Sequence, residues 1–230
     1  VLDLYSCAGG AARGYQLAGF EVIGVDIAPR PNYCGQAFLQ ADAIETLEGL
    51  AEDIGVWGWR PDLIHTSPPC QEDNNLTRGT NRSKGWGREH QQLVPPTRAL
   101  LDRIGLPYVI EQPSGGSMIR RDLRLCMDML EMTGPVLPPW VQRHRDFELS
   151  GFTVPQPKHR KHRGYVRGMR HGVYRDGPYV AAYGNGGGKA TIKEMRHALQ
   201  IDWTDVHEEL TEAIPPAYTR YIGAAFLAGR

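Results

Sequence analysis

Two short segments carry side chains suited to covalent chemistry. In Ser67-Pro68-Pro69-Cys70-Gln71 a cysteine follows two prolines, directly after the run Asp62 to Thr66, which reads as a buried strand. The prolines stiffen the backbone, so the thiol is presented at the strand end in a fixed geometry, where an open α/β sheet would place a nucleophile. A cysteine kept for packing sits more naturally inside a strand or helix. In Val109-Ile110-Glu111-Gln112-Pro113, Glu111 ends a second strand that begins at Pro107. A thiol and a carboxyl at neighbouring strand ends suit nucleophilic attack on a ring that must be protonated to accept it. The plainer reading of Glu111 is a carboxylate hydrogen-bonded to nearby backbone.

A third segment looks built to hold a ligand. Asp3-Leu4-Tyr5-Ser6-Cys7-Ala8-Gly9-Gly10 is a strand running into a glycine turn and then a helix. Glycines let backbone approach a ligand closely, and a helix start offers free N–H groups. Asp26 follows 16 residues after Gly10, at the end of a strand over Glu21 to Asp26, where an acid can accept from both hydroxyls of a ribose. Asp42 comes 16 residues later and could accept from an adenine amine. Singly, each acid is better explained by a strand-end turn or a helix cap; the ordered set is the stronger signal. There is no G-x-G-x-x-G, which argues against a dinucleotide.

The elements that must position these residues alternate. Strands are expected over Val1 to Tyr5, Glu21 to Asp26, Asp62 to Thr66 and Pro107 to Glu111. Helices are expected from the glycine turn to Ala18, over Ala43 to Asp53 with Asp42 as cap, and over Gln91 to Ile104 with Pro95-Pro96 near its true start. Further helices are expected over Ile192 to Gln200 and Pro216 to Leu227. The alternation implies an α/β fold with a parallel sheet and helices on both faces, a Rossmann-like architecture. Two regions break the rhythm. Glu72 to Glu89 is polar and nearly devoid of apolar residues, as long functional or disordered loops are. Gly151 to Gly188 is rich in Gly, Pro, Arg, His and Tyr.

At 230 residues and 41% apolar composition the chain has room for one substantial domain with a small appended lobe. No apolar run approaches the roughly 20 residues of a membrane span, and no signal peptide is visible. The cysteines Cys7, Cys34, Cys70 and Cys126 form no C-x-x-C pair, which argues against zinc and for reduced thiols in a cytoplasmic protein; no metal is expected. The formal charge is zero but unevenly spread. Gly151 to Ala190 holds eight Lys and Arg against Asp176 alone, leaving 18 bases against 25 acids elsewhere. A basic segment on an acidic body suits a polyanion; the plainer reading is a solvated loop.

Taken in order, these pieces resemble the DNA cytosine-5 methyltransferases. The matching residues are the turn from Asp3 to Gly10, Asp26, Asp42, Pro68-Pro69-Cys70-Gln71, Glu111, Arg143-His144-Arg145-Asp146-Phe147 and, near the end, Ile214-Pro215-Pro216-Ala217-Tyr218 with Ile222-Gly223. The resemblance covers nearly the whole chain. It implies transfer of a methyl group from S-adenosylmethionine, leaving S-adenosylhomocysteine, to carbon 5 of a cytosine flipped out of double-stranded DNA. It assigns Cys70 as nucleophile on carbon 6 and Glu111 as the group that holds and protonates N3. Arg145 would hold the base's carbonyl oxygen and Arg143 would brace the cysteine loop. Tyr5, Ser6, Cys7, Ala8, Gly9, Gly10, Asp26, Ile27, Asp42, Ala43 and Pro68 would line the cofactor, with Tyr5 stacking on adenine.

The chain departs from the family pattern in places. Cys7 stands at the first glycine of the opening turn, Asp26 at a position usually glutamate, and Gln112-Pro113 where Asn-Val is usual. Val141 falls where the family has Gln, and Thr211-Glu212 where it has Gly-Asn. The specificity lobe is reduced to about 40 residues, which implies short or degenerate recognition, as in compact, phage-encoded members. The expected layout is a catalytic domain over 1–149, a recognition segment over 150–190 and C-terminal helices over 191–230, the last packing back on the catalytic domain, in a monomer. Gln71, Arg78, Arg82 and Lys84 would touch DNA from the polar loop. Lys158, Arg160, Lys161 and Arg163 would meet phosphates, and Arg167, Arg170 and Tyr174 base edges. Competing readings are a tRNA cytosine-5 methyltransferase, a DNA-binding module that kept the fold without catalysis, and an unrelated α/β enzyme of small molecules.

Overall fold

The structure is a computed structural model that describes residues 1–52, 59–69, 92–130, 137–159, 161–170, 172–183 and 190–230. Its centre is a seven-stranded sheet. The strands are β1 (Leu2–Leu4), β2 (Ile23–Asp26), β3 (Ala37–Gln40), β4 (Ile64–Thr66), β5 (Tyr108–Pro113), β6 (Leu123–Leu125) and β8 (Arg145–Ser150), with β7 (Trp140–Val141) lying outside this sheet. Their spatial order is β3-β2-β1-β4-β5-β8-β6. β1 to β5 are parallel, whereas β8 runs antiparallel to both β5 and β6. A wholly parallel sheet was therefore too simple an expectation. The order reverses beside β1, between β2 and β4, and a ligand crevice in such sheets lies at that switch point, outside the carboxyl ends of the strands.

Side-chain alternation along β1 divides the core in two. Leu2 and Leu4 join Val25, Ile64 and Ile110 beneath α2 (Ala43–Glu52) and α3 (Val94–Ile104). Val1, Leu63, Val109 and Phe147 pack on the other side with α1 (Gly10–Leu17) and the last helix, α6 (Pro216–Ala228). The α1–α6 contact is close because Gly14 has no side chain: a Cβ there would lie 2.0 Å from Thr219 Oγ1. α3 starts on Pro95-Pro96, which lack N–H groups that the first turn of a helix does not use. α4 (Ile192–Leu199) opens on a capping box in which Thr191 and Glu194 exchange hydrogen bonds, and α5 (His207–Glu212) follows it.

β9 (Gly168–Arg170) and β10 (Val173–Arg175) form a two-stranded hairpin, but β11 (Tyr179–Val180) is buried and pairs in parallel with β7. Among the described residues, no helix is long and apolar enough to cross a membrane.

Candidate active site at the carboxyl rim of the sheet

The parallel strands deliver Tyr5, Asp26, Asp42, Pro68 and Glu111 to one rim. At the β1 end the chain turns sharply. Tyr5 and Cys7 both have left-handed backbone, with φ of 59° and 47°. Such residues cost on the order of 1–3 kcal/mol each and cluster at functional sites. The Cys7 position thus has the conformation that glycine adopts freely, which accounts for glycine there in the family pattern. Tyr5 bonds Thr97 Oγ1 through its hydroxyl at 3.0 Å, Trp203 Nε1 donates to the Ala8 carbonyl at 2.8 Å, and the Cys34 thiol donates to the Gly9 carbonyl at 3.1 Å. A Cβ on Gly10 would lie 2.4 Å from the Ile214 carbonyl oxygen, so that glycine answers to the C-terminal segment of the chain itself. Ser6 is buried, and its Oγ has no hydrogen-bond partner among the described residues.

The two acids of this half are already engaged. Asp26 accepts from Cys7 N at 2.9 Å and Ala28 N at 3.0 Å, and Arg30 Nε lies 3.2 Å from its Oδ2. Asp42 caps α2, its Oδ1 accepting from Ile44 N at 2.7 Å and Glu45 N at 3.1 Å. Ala43 is buried at the helix start, and Ile27 projects into solvent beside Asp26, 70% exposed. Arg30 has no part in the sequence reading, and Glu212, which lies 3.9 Å from the Cys7 thiol, enters it only as a departure from the family pattern. Arg30 does stand four residues after Asp26.

The other half is built around buried charge. Glu111 lies two residues inside β5 rather than at its end, because β5 continues to Pro113 alongside β8. The register sets Glu111 opposite Phe147 and Pro113 opposite Arg145, which makes Glu111 and Arg145 diagonal neighbours on one face. Arg145 Nε lies 2.6 Å from Glu111 Oε1, without hydrogen-bond alignment, so both atoms keep capacity for another partner. Burial pushes the Glu111 carboxyl above the usual carboxylate range, with Arg145 and Arg143 opposing the shift. Arg143 is buried, and its two terminal nitrogens each donate over 2.6 Å, to the carbonyls of Ala182 and Thr211. Desolvation, with Arg145 beside it, brings the Arg143 guanidinium down to about 9. It thus ties the C-terminal segment to the rim, and its expected brace on the cysteine loop is not among the bonds described.

Cys70 and Gln71 lie outside the described residues, as do Arg78, Arg82, Lys84 and Arg160. The approach to Cys70 is described, however. Pro68 is buried, and Gln112 Nε2 donates to its carbonyl at 2.6 Å. Gln112 entered the sequence reading only as a departure from the family pattern. Beneath it, His65 is wholly buried, with Nδ1 3.0 Å from the Tyr15 hydroxyl and Nε2 3.1 Å from Ser67 Oγ. Desolvation drives this imidazole down to about 3, so it is neutral.

The basic segment divides. Lys158, Lys161 and Arg163 are exposed, with the Arg163 guanidinium 4.6 Å over the Trp140 ring. Arg167, expected at base edges, is ion-paired to Glu194 of the α4 capping box. Tyr174 is 61% exposed on the β9–β10 hairpin together with Met169 and Val173, and the backbone places Arg170 on the same hairpin.

No protein-family model matches the chain, and no curated protein matches it. Among solved structures, the chain is similar to a prophage-encoded protein of E. coli described as a candidate DNA modification methyltransferase. The match has 12% identity and a TM-score of 0.60, and covers 99% of this chain and 98% of that one. It establishes the fold: an α/β sheet flanked by helices, of the architecture found in that protein. A hypothetical protein of Thermus thermophilus aligns at 16% identity over 64% of this chain and 72% of the other, with a TM-score of 0.31.

Proposed function

We propose that this chain is a methyltransferase acting on DNA, and specifically on carbon 5 of cytosine, with S-adenosylmethionine as donor. The observation that carries the reading is the buried Glu111–Arg145 pair at the sheet rim, with Gln112 of the same strand gripping Pro68, two residues before Cys70. The fold shared with the prophage protein supports it.

The donor's site would be the turn from Tyr5 to Gly10 with Asp26, Ile27, Asp42, Ala43 and Pro68. The unpartnered Ser6 Oγ and the exposed Ile27 at the crevice lip fit a polar, aromatic ligand there. Asp26 fits once Arg30 swings away from it. S-adenosylmethionine, when bound, supplies an electrophilic methyl group. On the other side Cys70 adds as thiolate to carbon 6 of the flipped base, and a proton passes from the Glu111 carboxyl to N3. The raised proton affinity of Glu111, which burial produces against the opposing charges of Arg145 and Arg143, suits that task. Arg145 turns toward the base carbonyl. Addition of Cys70 makes carbon 5 electron-rich toward the donor's methyl group; after methylation a water molecule would take the carbon 5 proton, the N3 proton would return to Glu111, and the carbon 6–sulfur bond would break to release Cys70 as thiolate and restore the ring.

The test is label transfer from tritiated S-adenosylmethionine to duplex DNA and, in parallel, to tRNA. Wild type is expected to label DNA, to form a covalent adduct with 5-fluorocytosine DNA, and to lose both on Cys70→Ser while still binding DNA. Label in tRNA alone would move the substrate to RNA. Near-normal transfer by Cys70→Ser would overturn the covalent mechanism.

A further inference from the structure

Away from the rim, four potential metal donors converge. Cys126, His144, His159 and His162 each offer one ligand atom, and those atoms all lie within 4.8 Å of one another. They come from three separate stretches: Cys126 directly follows β6, His144 lies between β7 and β8, and His159 and His162 form an H-x-x-H in the basic segment. The imidazoles are packed ring on ring, His144 stacked on His159 with centroids 5.1 Å apart and His162 edge-on to both. His144 Nε2 and His159 Nε2 stand 2.9 Å apart. Two nitrogens this close share one proton at most, and the third imidazole and the thiol bring further lone pairs to the same place.

We propose that these four side chains form a structural zinc site. The donor set, one thiolate and three imidazoles, is of the kind zinc takes in tetrahedral coordination, and with all four positions filled from the protein there is no opening for a catalytic water. The surroundings have the form of an outer shell. Asp128 Oδ2 lies 2.6 Å from His162 Nδ1 and also accepts from the Tyr179 hydroxyl at 2.8 Å. With Nδ1 committed to a carboxylate, Nε2 is the nitrogen His162 has left for a metal, which is the carboxylate–histidine–zinc arrangement that fixes the tautomer of a ligand and raises its basicity. Cys126 is fully buried, His144 and His162 half-buried and His159 exposed, so the site would close from the surface inward.

The consequence is positional. Zinc would fasten the start of the basic segment to the β6 end of the sheet, and would fix His144, which stands between Arg143 and Arg145 of the rim. The expectation of no metal weighed cysteine spacing alone, and three of these four donors are histidines.

The inference stands apart from the methyltransfer reading, because metal binding is measured without turnover. The tag-free chain, stripped with chelator and checked for folding by circular dichroism, is titrated with Co²⁺ and then with Zn²⁺. One equivalent of cobalt is expected to bind with the intense visible bands of a tetrahedral site and a thiolate-to-cobalt charge-transfer band, and zinc is expected to displace it. Cys126→Ser should lose the charge-transfer band. His144→Gln and His162→Gln should each weaken uptake, and Asp128→Asn should cost about 10- to 100-fold in affinity. His197→Gln, on α4 and outside the cluster, should change nothing. A folded protein giving only weak octahedral cobalt bands, or the same spectrum in Cys126→Ser as in wild type, would overturn the proposal.

Discussion

The two halves of the rim solve different problems. Under β1, β2 and β3, the side chains assigned to the cofactor already have local work: Asp26 holds the N–H groups of Cys7 and Ala28, and Asp42 caps α2. Under β4, β5 and β8, burial and side-chain neighbours set the state of Glu111, Arg145 and His65, and Arg143 grips the carbonyls of Ala182 and Thr211. Glu111 and Arg145 face each other without alignment, Arg143 is buried at a cost to its charge, and His65 is kept neutral. A carboxylate bonded to backbone amides stabilises its own turn, whereas a buried carboxyl with a raised proton affinity destabilises the fold unless something else uses it. Mutation should therefore cost structure in the first half and chemistry in the second.

The largest effect should come from Glu111→Gln. The amide keeps the shape but cannot deliver a proton, so kcat is expected to fall by about 100- to 10,000-fold with little change in melting temperature. A fall in stability with an unchanged rate per folded molecule would return Glu111 to a structural role and erase the contrast.

The next test concerns His65. Its folded-state proton affinity is lowered, so between about pH 6.5 and about pH 3 the unfolded chain binds a proton that the native chain refuses. Stability should then fall with pH across that window, by up to about 1.4 kcal/mol per unit from this group. Urea unfolding at several pH values should show a shallower slope in His65→Gln than in wild type. Equal slopes would mean that His65 takes up its proton in the folded protein.

In the first half, Asp26→Ala and Asp42→Ala should each weaken S-adenosylhomocysteine binding by about 1–3 kcal/mol in calorimetry. Asp42→Ala should also lower stability by roughly 1 kcal/mol through loss of the cap. A drop in stability with unchanged affinity in both variants would show that the local work is all they do. The smallest expected effect is a gain: Cys7→Gly should raise stability by about 1 kcal/mol by relieving the left-handed backbone, seen as a higher denaturation midpoint.

Much of this architecture was written locally. The strand–helix alternation, the start of α3 at Pro95-Pro96, the Asp42 cap and the turn after β1 are consequences of residue period, missing N–H groups and side-chain bonds within a few residues, and the sequence determined them by itself. The convergence of Asp26, Asp42 and Glu111 on one rim also follows once the early strands are parallel. The tertiary structure alone decided the rest. Arg145 meets Glu111 because β8 enters antiparallel against β5, and β8, like the short strands β3 and β6, has no period distinct enough to announce its neighbours. Arg143 finds the carbonyls of Ala182 and Thr211, 39 and 68 residues away, and Gln112 finds Pro68 44 residues back. The histidines of a segment that reads as basic and solvated meet Cys126 and His144 only when β11 draws that segment against β7. Pairings across such distances are fixed by strand order and by the need to satisfy buried polar groups, and neither is a property of any window along the chain.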